Sequence, residues 1–401
     1  MTAMLSLALL LQVDAFTIES KKITPEIRKE IEKLDAIRND AFDFAKKQVA
    51  AKLPGEFQVI LEAVDGADPD PAKFTRHSGM TAETSSRDHP KVKIRFYVEY
   101  FANGLGSPES TLRHEMVHAV MRLDLGNEKY GKLPKWFREG VAVFIAGQMQ
   151  EKLSHGLMQP SVAKDPETLL DGLEDADHNL GDYWEDAMAI VSLSSLPMRG
   201  PLWKVIDHVR DGKDYKLAIE MVTGKPFDDF VKDAREHATK SLLAQVAQGR
   251  QMYGTYAEIA RLNEESGALC ETFLKQWPKV PLRSAVLYYR AKAAKDEGLA
   301  AFDEFLASAR EPNGKVDFID DAKLRKARLL AKKDRAKESA ELYADIVYWH
   351  VGSPAAIDAL YEWGLLIAPA ERDRATPLLK RALELAPKHR LADRAKKTLG
   401  D

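Results

Sequence analysis

The chain of 401 residues has a single cysteine, Cys270. That count excludes an intramolecular disulfide framework and a cysteine-rich structural metal site. The helical pattern around Cys270 marks it as a core residue rather than a nucleophile. Charge of one sign is equally scarce, since 59 Lys and Arg stand against 62 Asp and Glu for a net charge of −3. Such a balance gives no electrostatic case for nucleic acid or for an anionic membrane surface as partner. Long apolar runs are missing as well. Met4 to Leu11 falls far short of the roughly 20 residues that span a bilayer. Followed by Val13-Asp14-Ala15, it reads as a secretory signal over residues 1–15 with cleavage before Phe16, although no Lys or Arg precedes it. A secreted or periplasmic location with no membrane span is therefore expected.

What the chain does have is His114-Glu115-Met116-Val117-His118. Residues four apart share one face of a helix, so His114 and His118 can offer two imidazole nitrogens to one metal ion. Glu115 is turned about 100° around the axis, which suits it to a water beside the metal rather than to the metal itself. Two ligands and a carboxylate base are the physical content of this spacing. The surroundings support a helix. Ser107 is a good cap, Pro108 suits the first helical position and Glu109 places negative charge in the first turn. Leu112, Met116, Ala119, Val120 and Leu123 recur at helical spacing, and Gly126 offers a stop after about four turns.

A catalytic zinc site needs three protein ligands and an open position. Glu139 is the first choice for the third. Pro134 opens a second apolar-periodic segment through Trp136, Phe137, Val141, Phe144 and Ile145, and an acid inside it is costly to bury without a partner. Asp124 is the alternative, placed shortly after His118 as in compact sites. Those sites end the helix at a glycine three residues past the second histidine, where this chain has Met121.

HEMVH followed by LPKWFREGVAVF resembles the gluzincin branch of zinc metallopeptidases, in particular the bacterial peptidase MA-like families. The likeness extends to YWEDAMAIV from Tyr183 and to GKDYKLAIEMVTGKPFDDFVKDAREHA, covering roughly residues 55 to 240. It implies Zn2+ held by His114, His118 and Glu139, Glu115 as general base, and Tyr183 steadying the oxyanion, with His178 the other candidate for that last role. It also implies a zincin-like α+β domain over residues 16–245 that hydrolyses a peptide or protein substrate. Aminopeptidases of the group carry Gly-x-Met-Glu-Asn. Gly79-Met80-Thr81-Ala82-Glu83 does not match it, which favours an endopeptidase.

Further elements can be read from periodicity. Thr24 and Pro25 open an amphipathic helix through Val49, closed by Pro54-Gly55, and a strand follows over Phe57 to Ala63. Lys91 to Tyr100 alternate as a half-buried strand. Either this strand or the segment from Phe74 to Thr84 supplies the edge that pairs with extended substrate. The acidic loop from Asp65 to Asp70 lacks calcium-loop spacing and reads as a solvated turn. Over residues 250–401 short helices repeat, with Ala291, Ala327 and Gly364 spaced 36 and 37 apart. That pattern is similar to tetratricopeptide repeats and implies either a surface for a protein partner or a stabilising all-α appendage. Two other functions remain in view: a catalytically inactive zinc protein acting as an interaction scaffold, and a structural zinc protein.

Overall fold

The computed structural model describes residues 13–20, 22–65, 79–83, 90–103, 107–149, 183–194, 201–280, 282–309, 318–349 and 353–400. The chain is mostly helical with one small sheet, compatible with an α+β class. It divides into two compact units, the break falling between Gln248 and Gly249.

In the first unit, β1 (Thr17–Ile18) leads to α1 (Pro25–Gln48). Thr24 caps that helix by accepting the Ile27 N–H at 3.3 Å, and Pro25 opens it. Its buried face is Ile27, Ile31, Leu34, Ala41, Phe42 and Ala45, three to four residues apart as the sequence implies. Three more strands follow: β2 (Gln58–Val64), β3 (Gly79–Glu83) and β4 (Lys91–Tyr97). The sheet order is β1-β2-β4-β3, with the first three parallel and β3 antiparallel at the edge. Register pairs Val59 with Val92, Leu61 with Ile94 and Ala63 with Phe96, and all six are buried on one face. On the other face the buried Glu62 accepts Lys93 at 2.5 Å and Arg95 at 3.0 Å.

Alternation had placed the last strand through Tyr100, but it ends at Tyr97. Val98 already begins α2 (Val98–Asn103). The pairing explains this, because Val64↔Tyr97 is the final register pair and no partner strand continues beyond it. Of the two segments considered for a substrate edge, β4 is interior and β3 is the outer strand among the described residues.

Next come α3 (Pro108–Lys132) and α4 (Lys135–Ile145). α3 packs on α1 and on the β3–β4 side of the sheet. The stop expected at Gly126 is a break: with φ 71 and ψ 164 that residue leaves helical geometry, and the chain resumes helix through Lys132. α5 (Tyr183–Ser194), α6 (Pro201–Arg210), α7 (Tyr215–Thr223) and α8 (Phe227–Leu262) follow.

The second unit carries α9 (Gly267–Gln276), α10 (Arg283–Ala293), α11 (Leu299–Ser308), α12 (Ile319–Lys332), α13 (Ala336–Trp349), α14 (Pro354–Ile367), α15 (Arg372–Leu385) and α16 (Ala392–Leu399). Each packs on its successor, and α12 with α14 and α14 with α16 also meet. Ala291, Ala327 and Gly364 are all buried at these contacts. A Cβ on Gly364 would come within 2.6 Å of Leu379, so close approach requires the small residue. No helix among the described residues is long and apolar enough to cross a membrane.

Residues just ahead of the expected cleavage point at Phe16 take part in the fold. Val13 is 4% exposed and bridges to Val59, and the Asp14 N–H donates to the Val59 carbonyl at 2.8 Å. Arg38 holds the Val13 carbonyl and Gln58 the Asp14 carboxylate. A chain starting at Phe16 loses a buried valine and these hydrogen bonds. Urea denaturation should find it less stable by about 2 kcal/mol than one starting at Val13; equal midpoints would show that residues 13–15 carry no weight.

Candidate metal centre

α3 brings His114, Glu115 and His118 to one end of its buried surface, and all three are less than a tenth exposed. α4 brings Glu139. The donor atoms meet closely: His114 Nε2 and His118 Nε2 are 3.1 Å apart, and Glu139 Oε2 lies 3.3 Å from each. A tetrahedral ion with bonds of about 2.0–2.1 Å requires donor separations of about 3.3 Å. The three residues can therefore hold a metal ion without rearrangement. Two facing imidazole nitrogens and a carboxylate oxygen repel one another unless positive charge lies among them. A proton satisfies two of the three, whereas a metal ion satisfies all.

The electrostatics agree. Burial opposes a charge on His118, yet Tyr130, Glu139 and Glu115 outweigh it and push its pKa up to about 10. Burial likewise opposes charge on Glu139, but His118 and His114 hold it well below the usual carboxylate range. Glu115 does not belong to the donor group, although its carboxylate is near enough to act on the charge of His118. That matches the division of roles its position on the helix implies.

Two partners of the histidines were not foreseen. His114 Nδ1 lies 2.9 Å from Gln148 Oε1, and the Gln148 amide nitrogen donates to Ser110 Oγ at 3.2 Å. His118 Nδ1 lies 2.9 Å from the Tyr130 hydroxyl. Each follows a glycine in the left-handed region, Gly126 at φ 71 and Gly147 at φ 74, which turns the chain back toward the site. Those glycines were the available signal. Gln148 is fixed further by the end of α4: its N–H bonds the Val143 carbonyl at 3.0 Å and the Gly147 N–H bonds that of Phe144 at 3.3 Å. This is the paired closure of a Schellman turn.

Asp124 is not part of the cluster. Six residues beyond His118 it has rotated about 240° around the helix and faces away from the histidines. There Arg210 donates to it from Nε at 2.7 Å and Nη2 at 2.5 Å, and the Lys52 N–H donates at 2.9 Å. Its carboxylate ties α3 to α6 and to the end of the α1 connection. Of the oxyanion candidates, His178 and the Tyr183 side chain lie outside the described residues. Tyr183 begins α5, which packs closely on α4.

That packing depends on Gly140, the residue after Glu139. A Cβ there would stand 2.3 Å from the Asp186 carbonyl oxygen and 2.7 Å from Ile190. Comparison with protein-family models, with curated proteins and with solved structures finds no match.

Two consequences can be measured. Gly140→Ala should force α4 and α5 apart, lowering stability by about 2 kcal/mol in chemical denaturation and weakening metal uptake together with it. Asp124→Ala should cost about 1–2 kcal/mol, because Arg210 loses two hydrogen bonds but keeps Asp207, while metal content, read by atomic absorption, stays at the wild-type level. Glu139→Ala should do the reverse.

Proposed function

We propose that the chain is a zinc-dependent peptidase of gluzincin type, with His114, His118 and Glu139 holding the ion and Glu115 as general base. One observation carries this reading: three donors of the right kind at tetrahedral spacing, with a buried carboxylate one residue along the same helix. A zinc ion held there would supply a Lewis acid able to bring the pKa of water toward about 7 and to polarise a carbonyl. Histidine and carboxylate together suit zinc, and the absence of a fourth protein donor among the described residues leaves room for water or substrate. This tells against a purely structural site.

The work of the protein's own groups follows from their positions. Glu115 takes a proton from the attacking water at its carboxylate and passes it to the departing amide nitrogen. Glu139, at 19% side-chain exposure, is the most accessible of the three donors and marks the side from which substrate enters. Tyr183, at the start of the helix packed on α4, is the donor we assign to the developing oxyanion. An extended peptide would lie along β3, the outer strand among the described residues, which packs on α3, and the departure of Gly79-Met80-Thr81-Ala82-Glu83 from the aminopeptidase segment favours an endopeptidase.

Zincin-like is the reading we give the first unit, and tetratricopeptide-like the second. In the latter, α12 and α14 and residues 390–394 line a groove of about 830 Å³ with Arg328, Lys332, Glu362, Leu365 and Arg394 among its walls. A protein partner or a substrate segment is its proposed occupant. The apolar run near the N-terminus supports export to the periplasm or outside the cell, with any cut falling before Val13.

A buried, ionisable Glu115 separates this reading from an inactive scaffold, because a binding-only site has no use for a second carboxylate there. Glu115→Gln should keep stoichiometric zinc and lose casein hydrolysis by at least about a hundredfold. Equal hydrolysis by the two proteins would refute the mechanism, and absence of activity in both would favour the scaffold.

A further inference from the structure

The ligand histidines both turn Nε2 toward the point of convergence, so each must carry its hydrogen on Nδ1 to be able to ligate. Given the metal reading above, on which this rests, we propose that Gln148 and Tyr130 are positioning residues that hold the two rings in that form, with Ser110 acting through Gln148. The two do so in different ways.

Gln148 is strict. Its amide has one accepting end and one donating end, and the donating end is directed to Ser110 Oγ at 3.2 Å. The oxygen is thereby left 2.9 Å from His114 Nδ1, where it accepts hydrogen and frees Nε2 for the metal. Turned end for end, the same amide would donate to Nδ1 and put hydrogen on Nε2, closing His114 to a metal. Ser110 lies one turn before His114 on α3, and the Schellman turn fixes the Gln148 backbone, so the amide is tethered at both ends and keeps this orientation while the Ser110 hydroxyl accepts from it.

Tyr130 is permissive, because a hydroxyl can accept from Nδ1 or donate to it. Its place is nevertheless firm. The ring is 4% exposed, and the guanidinium groups of Arg122 and Arg138 lie 4.7 Å and 5.2 Å from its centroid. Arg122 is four residues past His118, and Arg138 directly precedes Glu139. Both ligand-bearing helices therefore grip the phenol through cation–π contacts.

Co2+ added to the metal-stripped full chain tests this, with visible absorption reporting the coordination and a competing chelator the affinity. Gln148→Leu and Tyr130→Phe should each weaken Co2+ binding by about 10- to 100-fold. Gln148→Glu, whose carboxylate has no donating end to turn inward, should keep it. Ser110→Ala should weaken binding about threefold in the wild-type background and leave it unchanged when combined with Gln148→Glu. A merely structural role for Ser110 would act equally in both backgrounds, and that equality would overturn the proposal even if Gln148→Leu failed to fold. Wild-type affinity and spectrum in Gln148→Leu and Tyr130→Phe would overturn it while leaving the metal reading intact. Failure of the wild-type chain itself to take up Co2+ would overturn the metal reading.

Discussion

Two imidazole nitrogens held 3.1 Å apart, with a carboxylate oxygen 3.3 Å from each, form an arrangement that folding alone has no reason to favour. Each group is largely buried, and burial of an ionisable side chain costs several kcal/mol unless it is paired. Facing lone pairs add to that cost. The surrounding structure can be understood as what keeps these three groups together against their own preference. α3 supplies two donors at fixed spacing, α4 supplies the third, and hydrogen bonds to the outer nitrogens prevent the rings from turning away.

The neighbouring contacts extend that restraint outward. Gly140 lets α4 approach the backbone of α5 so closely that no side chain intervenes, which fixes the axial position of Glu139 immediately before it. Asp124 and Arg210 anchor the far side of α3 through two hydrogen bonds in a place where neither group is more than slightly exposed. The sheet backs α3 through β3 and β4, and α3 in turn packs on α1. A shift of α3 along its axis would therefore have to break an ion pair, a helix contact and a sheet contact together. This is how helices whose ends turn on glycine can keep the three donors together.

How much of this was legible in the sequence depends on whether the cause was local. The pairing of His114 with His118 follows from helical period alone, and the helix over Pro25 to Gln48 from its cap and spacing. Glu139 was legible as an acid out of place in an apolar segment. The strand end at Tyr97 was not, because alternation continues to Tyr100 and only the length of the neighbouring strand stops it. Asp124 seemed a rival ligand by sequence distance; only its angle around an unbroken helix turns it toward Arg210. Tyr130 and Gln148 were marked only by the glycines that precede them. Their roles depend on how far a left-handed glycine redirects the chain, a tertiary outcome that composition does not encode.

The same distinction bears on the catalytic role we propose for the site. A protein that only bound metal would be more stable with an apolar residue at position 115, since a carboxylate 8% exposed beside an already anionic Glu139 adds repulsion and desolvation cost. Keeping it is destabilising in the absence of function. The cost is tolerable because the centre it faces attracts positive charge, as the raised pKa of His118 indicates. Under the proposed function Glu115 lies outside the donor set yet near enough to His118 to act on its charge, which is the placement a proton shuttle needs.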